Sequence, residues 1–127
     1  MEERTVMAEV TKVLLLLKDM VYESTAPQHA LRFARCYRKR GMETTILIWG
    51  PMGAILMKKG KKGPQNYDAK ITECLELGVK IKCCELAASL IGMTQDEMIP
   101  GTEIITTKEL TNKLIEYTEE GQLVMYI

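Results

Sequence analysis

Two adjacent cysteines, Cys83 and Cys84, are the residues of this sequence best suited to nucleophilic chemistry. They follow a segment, Val79 to Cys83, in which apolar residues alternate with lysines, and this alternation predicts a β-strand. The run 86–91 then predicts a short helix that ends at Gly92. Cys84 is therefore predicted to lie where a strand passes into a helix.

A cysteine at that position is a candidate nucleophile. Free backbone N–H groups at the start of a helix favour the thiolate, which is the reactive form. Lys82 is a possible second stabiliser of the anion, whereas the neighbouring carboxylate of Glu85 would raise the thiol pKa. The alternative for each cysteine is an ordinary packed thiol, since cysteine is among the most buried residue types. Alternation along the strand places Cys83 with the apolar residues, so we expect it to be inert, although it stays a possible second thiol.

His29 is the only histidine of the chain. We predict that it lies one turn into the first helix, where it is a candidate proton acceptor for a thiol at the same end of the sheet. A surface or helix-packing role is the alternative, because no fixed spacing relates it to either cysteine.

Length and composition restrict the class of protein. A chain of 127 residues forms one ordinary domain, which we expect to span residues 1–127. The 17 basic and 17 acidic residues balance, so direct binding to nucleic acid or to a membrane is not expected. Four cysteines without CxxC spacing argue against a zinc site, and no dinucleotide or phosphate-loop motif is present, so no cofactor is expected. Without an evident signal peptide, a cytoplasmic location with free thiols is the expectation.

Strand-like and helical segments alternate along the chain, and this order predicts an α/β fold with a mostly parallel sheet and helices on both faces. The pattern predicts capping boxes at Thr25, Thr94 and Thr106, and one or two helical turns within 54–59. The predicted strands are 12–17, 44–49, 79–83, 103–105 and 122–127, and the principal predicted helices begin after Thr25, at Asp68 and after Thr106.

The irregular stretch from Gly50 to Pro64 has two notable properties. It carries several apolar residues in or beside it, more than a solvated loop needs, which predicts an oligomer. Its lysines predict either a solvated loop or a docking site for an acidic partner. The apolar residues are Trp49, Met52, Ile55, Leu56 and Met57, and the lysines are Lys58, Lys59, Lys61 and Lys62.

Two blocks of the sequence resemble the DsrE/DsrF/TusD-like family of small sulfur-handling proteins. The first is Pro27 with the segment Ala-Leu-Arg-Phe-Ala at 30–34, and the second is the strand, cysteine, helix and glycine block at 79–92. In that family the acceptor cysteine ends a strand and precedes a glycine by eight positions. Cys84 has this spacing to Gly92, whereas Cys83 does not. The adjacent Cys83 departs from the pattern and leaves open whether one sulfur atom or both take part.

The resemblance implies a single DsrE-like domain with a flavodoxin-like three-layer α/β/α fold and about five strands. It implies a small cytoplasmic sulfur carrier of the sulfurtransferase type, in which Cys84 accepts sulfane sulfur as a persulfide and passes it to a partner. It also implies homo-oligomers, or hetero-oligomers with related subunits, besides sulfur donor and acceptor proteins. Because some members of the family lack the cysteine, the alternative is a non-catalytic structural subunit or binding module.

Overall fold

The computed structural model describes residues 9–19 and 25–127 of the chain. Its five strands form one sheet in the order β4-β3-β2-β1-β5, and every neighbouring pair is parallel. The predicted α/β class is confirmed, with a fully parallel sheet. The strands are β1 Lys12–Leu17, β2 Glu43–Ile48, β3 Lys80–Cys84, β4 Glu103–Ile105 and β5 Leu123–Tyr126.

Helices connect the strands, as parallel neighbours require. Two short 3-10 turns, Ile55–Met57 and Gln95–Glu97, interrupt the connections on either side of β3. Among the described residues, none of the helices has the length and apolar character that crossing a bilayer would demand. The helices are α1 Ala26–Lys39, α2 Pro51–Ala54, α3 Tyr67–Glu76, α4 Glu85–Leu90 and α5 Thr107–Glu119.

The two faces of the sheet are covered unequally. On one face, the α1 face, alternate strand residues such as Leu15, Ile46 and Ile81 form the main core with α1, α3 and residues of α2 and α4. On the other, the α5 face, a smaller cluster around Leu14 and Leu47 packs against α5. Strands buried on both sides explain the nearly continuous apolar run of β1.

Several predicted boundaries need correction. The strand predicted at 79–83 is shifted by one residue, so that Cys84 belongs to β3 and the next residue begins α4. Of the helical turns predicted within 54–59, the structure has one 3-10 turn, Ile55–Met57, and the α-helical turn α2 ends at the first residue of that range. Thr25 precedes α1, but its side chain makes no capping hydrogen bond, because its backbone is helical rather than extended (φ −86°, ψ −7°). Thr94 forms the predicted capping box, and the Thr106 side chain accepts from the Glu109 N–H.

Candidate functional site

Cys84 occupies the junction predicted from the sequence. It is the last residue of β3 and the N-cap of α4, with extended backbone angles of φ −63° and ψ 134°. Its register partner on β4 is Ile105, so it lies at the carboxyl edge of the sheet, where ligands of parallel sheets collect. The residue is only 5% exposed. Helix α4 has only six residues, so its dipole is small.

Cys83 lies on the α1 face within the main core and is fully buried. Burial, and to a lesser extent the charge of the neighbouring Cys84, raise the pKa of its thiol to about 12. Its Sγ donates a weak hydrogen bond to the Cys84 carbonyl oxygen at 3.6 Å. A thiol held protonated in this way is a poor nucleophile at neutral pH.

The other two cysteines lie within helices, away from the carboxyl edge. Cys74 of α3 is buried, and burial raises the pKa of its thiol to about 11. Cys36 of α1 is exposed. All four thiols are free, so the chain contains both exposed and buried reference thiols for comparison with Cys84.

Lys82 lies two residues before Cys84 on β3, but Cys84 packs with the main core and the charge of Lys82 has another partner. Its ammonium forms an ion pair with the carboxylate of Glu103 on β4, and its side chain is only 16% exposed. Lys80, two residues before Lys82 and on the same face of β3, pairs with Glu43 on β2 at 2.9 Å. These pairs account for lysines on a central strand, because each cation is neutralised across the sheet. Lys82 would have to leave Glu103 to stabilise a Cys84 thiolate.

His29 lies on the exposed side of α1. Its ring stacks on the ring of Phe33, with 5.3 Å between the ring centroids. Among the described contacts, none joins His29 to a cysteine. The structure therefore does not bring the predicted proton acceptor together with the candidate nucleophile.

A contact that the sequence analysis did not predict lies beside Cys84. The Glu85 Oε1 accepts a hydrogen bond from the Thr107 backbone N–H at 3.1 Å and another from the Thr107 hydroxyl at 3.4 Å. The carboxylate thus satisfies a free N–H group in the first turn of α5. Neither residue has a local sequence signal for this contact, because they are 22 positions apart.

The turn after β2 packs closely against the end of β1. The Gly53 N–H donates to the Lys18 carbonyl oxygen at 3.1 Å. A Cβ atom added to Gly50 would lie 2.2 Å from that oxygen, and one added to Gly53 would lie 2.5 Å from it. The glycines therefore permit two loops of the carboxyl edge to touch. Residues 20–24, which follow that end of β1, lie outside the described residues.

The apolar residues of the Gly50 to Pro64 stretch are less exposed than the sequence suggested. Leu56 and Met57 are buried in the main core, which removes them from the surface argued to favour an oligomer. Exposed apolar side chains of this edge include Met52 on α2 and Leu86 and Leu90 on α4, with exposures of 49%, 60% and 64%.

The lysine cluster is partly neutralised within the chain. Lys61 pairs with Asp68 at 2.5 Å and donates to the Lys58 carbonyl oxygen at 2.6 Å. Lys58 lies 4.0 Å from the carboxylate of Glu97. Because these contacts close the loop on itself, they favour a structural role for half of the cluster over docking of an acidic partner.

The arrangement suits single-thiol exchange chemistry. Within residues 9–19 and 25–127, no three or more histidine, cysteine, aspartate or glutamate residues are grouped so that they could hold a metal ion. A groove of about 350 Å³, lined by Glu85, Leu86, Ser89 and Thr107, lies beside the cysteine at this edge.

Comparison with known proteins agrees with this fold. The chain is 28% identical over 102 residues to the uncharacterized protein MK0008 of Methanopyrus kandleri, covering 79% of this chain and 84% of the relative. The crystal structure of the ychN protein of E. coli superposes with a TM-score of 0.80 at 18% identity, covering 93% of this chain and all of that chain (100%). A protein of unknown function from Methanobacterium thermoautotrophicum, MTH1491, gives a TM-score of 0.73 at 13% identity, covering 91% and 98% of the two chains.

The sequence profile of the DsrE/DsrF-like family matches residues 11–119. The chain belongs to the DsrE/DsrF-like family.

Proposed function

We propose that this protein is a small sulfur carrier that holds sulfane sulfur on Cys84 as a persulfide. One observation carries the proposal: in a member of the DsrE/DsrF-like family, Cys84 ends β3 and caps α4 at the carboxyl edge of the sheet. The competing thiols support the same choice, because burial raises the pKa of Cys83 to about 12 and that of Cys74 to about 11.

The exchange needs no external oxidant or reductant. The Cys84 thiolate attacks the terminal sulfur of a donor persulfide, a new S–S bond forms at Cys84, and the donor leaves as a thiolate. In the second step an acceptor thiolate attacks the terminal sulfur on Cys84, and Cys84 leaves as a thiolate. The two steps together move one sulfur atom, in the manner of a sulfurtransferase, and regenerate the starting thiol.

The exposed apolar residues near Cys84 supply a surface for the proteins that exchange sulfur with it. Met52, Leu86 and Leu90 lie on two short helices that pack against each other at the carboxyl edge. We place the sulfur donor and acceptor there, and we propose that the protein works in the cytoplasm as a homo-oligomer or with related subunits. Reducing conditions would keep its four thiols free.

The second candidate function is a non-catalytic subunit or binding module that uses the same edge of the sheet. Its support is the low exposure of Cys84, which is 5%. In that role the cysteine is a packed thiol, and the apolar residues of α2 and α4 are contact residues.

Intact mass after incubation with a small-molecule persulfide donor decides between the two functions. We expect the wild-type protein to gain one sulfur atom, and dithiothreitol should remove it. Cys84→Ser should gain none, whereas Cys83→Ser should load as the wild type does. A wild-type protein that gains no sulfur would contradict the carrier function and favour the binding module. Undiminished loading of Cys84→Ser would move the acceptor to another cysteine.

A further inference from the structure

The carboxylate of Glu85 bridges the two helices that leave β3 and β4. It accepts both the backbone N–H and the hydroxyl of Thr107, at 3.1 and 3.4 Å. Cys84 and Ile105 are register partners at the ends of those strands. Glu85 directly follows Cys84, and Thr107 comes two residues after Ile105. The Glu85–Thr107 bridge therefore lies just beyond the paired ends of β3 and β4.

Helix α4 packs against α2 and buries only small side chains in the main core. The helix has only six residues, and its buried side chains are those of Ala87 and Ala88. An alanine buries far less apolar area than a leucine, and the two leucines of α4, Leu86 and Leu90, are exposed. Short elements with few buried apolar contacts open locally at low cost. The Glu85–Thr107 bridge is therefore a polar contact that fixes the first turn of α4, next to Cys84, to the start of α5.

We propose that Glu85 is a positioning residue for Cys84, which acts through Thr107 to hold α4 in place and so sets how often the sulfur atom becomes accessible. This inference rests on the proposed function, since a carrier must present a sulfur atom that is 5% exposed to a second protein. Exchange requires an attacking sulfur to approach along the axis of the S–S bond, and a residue that is 5% exposed offers little of that access. Opening of α4 gives that approach.

Two substitutions break the bridge from opposite ends. Glu85→Ala removes the acceptor and its negative charge. Thr107→Pro removes both donors but leaves the charge of Glu85 in place. Thr107 is the first residue of α5, a position that proline favours. The preceding Thr106 has φ −75° and ψ 160°, which suits a residue before proline.

The measurement is the rate at which iodoacetamide alkylates Cys84 in the folded full-length chain, followed by peptide mass between pH 6 and 10. In this reaction the thiolate displaces iodide and forms a C–S bond, so the assay is independent of sulfur loading. The pH profile separates the apparent pKa of the thiol from the plateau rate above it. Because the thiol is fully ionised on the plateau, the plateau rate reports access to the sulfur atom.

We expect both variants to raise the plateau rate about fivefold, which corresponds to the loss of one net hydrogen bond from the closed state. Glu76→Gln, which removes an exposed charge on α3, should leave the rate unchanged. Two cysteines serve as internal references: exposed Cys36 should react at a constant rate, and buried Cys74 should stay protected.

An unchanged plateau in both variants would overturn the inference. An equal acceleration at Cys74 would also overturn it, because the whole fold would then be opening. Since alkylation reports access alone, failure of sulfur loading in the wild-type protein is a separate result that refers to the proposed function.

Discussion

The two edges of the sheet are built differently. At the amino edge, long-range polar contacts join the start of β1 to the end of α5 and to the loop before β5. Lys12 pairs with Glu116 at 2.9 Å and with Glu120 at 3.0 Å. The side-chain oxygen of Gln122 accepts the backbone N–H groups of Thr11 and Lys12 at 2.8 and 2.9 Å.

The carboxyl edge has short elements instead. Helices α2 and α4 have four and six residues, and their exposed side chains include apolar ones. Glycines bring the turn after β2 against the Lys18 carbonyl, and a single carboxylate, that of Glu85, ties α4 to α5. The comparison shows one edge fastened by charged side chains on long elements and another assembled from closely packed turns. Sites that must open are drawn from the less stable parts of a fold, which agrees with a functional carboxyl edge.

The largest effect on stability is expected from a methyl group added at the carboxyl edge. Gly50→Ala would place a Cβ atom 2.2 Å from the Lys18 carbonyl oxygen, so the backbone of one loop must move. We expect a loss of about 3 kcal/mol of unfolding free energy, measured by urea denaturation.

The matched control for that substitution lies near the amino edge. Gly41 has φ +82°, and no atom lies within 4 Å of an added Cβ, so Gly41→Ala should cost only about 1 kcal/mol for its left-handed backbone. An equal loss of unfolding free energy in Gly50→Ala and Gly41→Ala would show that close packing does not distinguish the two edges.

A smaller effect is expected from the charged contacts of the amino edge. Lys12→Met keeps the aliphatic stem but removes an ammonium that pairs with two carboxylates and lies 5.0 Å from the Tyr117 ring centroid. Hydrogen bonds to those carboxylates raise the pKa of Lys12 above its ordinary value, so the ammonium is favoured in the folded state. We expect a loss of about 1 kcal/mol at low salt and less at high salt.

The control for Lys12 is Lys62→Met, which removes an exposed lysine of the loop after α2. Its unfolding free energy should stay within about 0.5 kcal/mol of the wild type. If Lys12→Met also changes the alkylation rate of Cys84, the two edges are coupled, which would contradict their description as separate regions.

The smallest effect is the loss of stability near pH 9. Burial raises the pKa of Cys83 from its ordinary 9.0 to about 12. The folded chain therefore keeps a proton that the unfolded chain loses, so stability is complete below pH 9 and falls as the pH rises toward 12. At pH 9 the folding equilibrium constant should be lower by about a factor of two from this residue alone.

Cys83→Ala tests that assignment, because the dependence of its unfolding free energy on pH can be compared with that of the wild type. The substitution lowers stability at every pH because it leaves a small cavity, but its stability should fall less steeply above pH 8 than that of the wild type. Parallel stability curves for the two proteins would mean that Cys83 does not contribute the alkaline loss.

Local patterns in the sequence determined much of this fold. The apolar run of β1 and the alternation in β3 predict buried strands, and Gly92 ends α4 with φ +67°, as a helix-terminating glycine does. The position of Cys84 between a strand and a helix follows from the same patterns. These features depend on residues within one or two turns of each other, which is the range over which backbone preference and periodicity act.

The tertiary structure decided the features that join distant segments. Strand order places Glu103 beside Lys82 and so neutralises the cation expected to assist Cys84. Packing buries Leu56 and Met57, which the sequence suggested were exposed. Spatial proximity also pairs Glu85 with Thr107 across 22 positions. No local pattern encodes these contacts, because a side chain's charge partner and its burial depend on which segments the fold brings together.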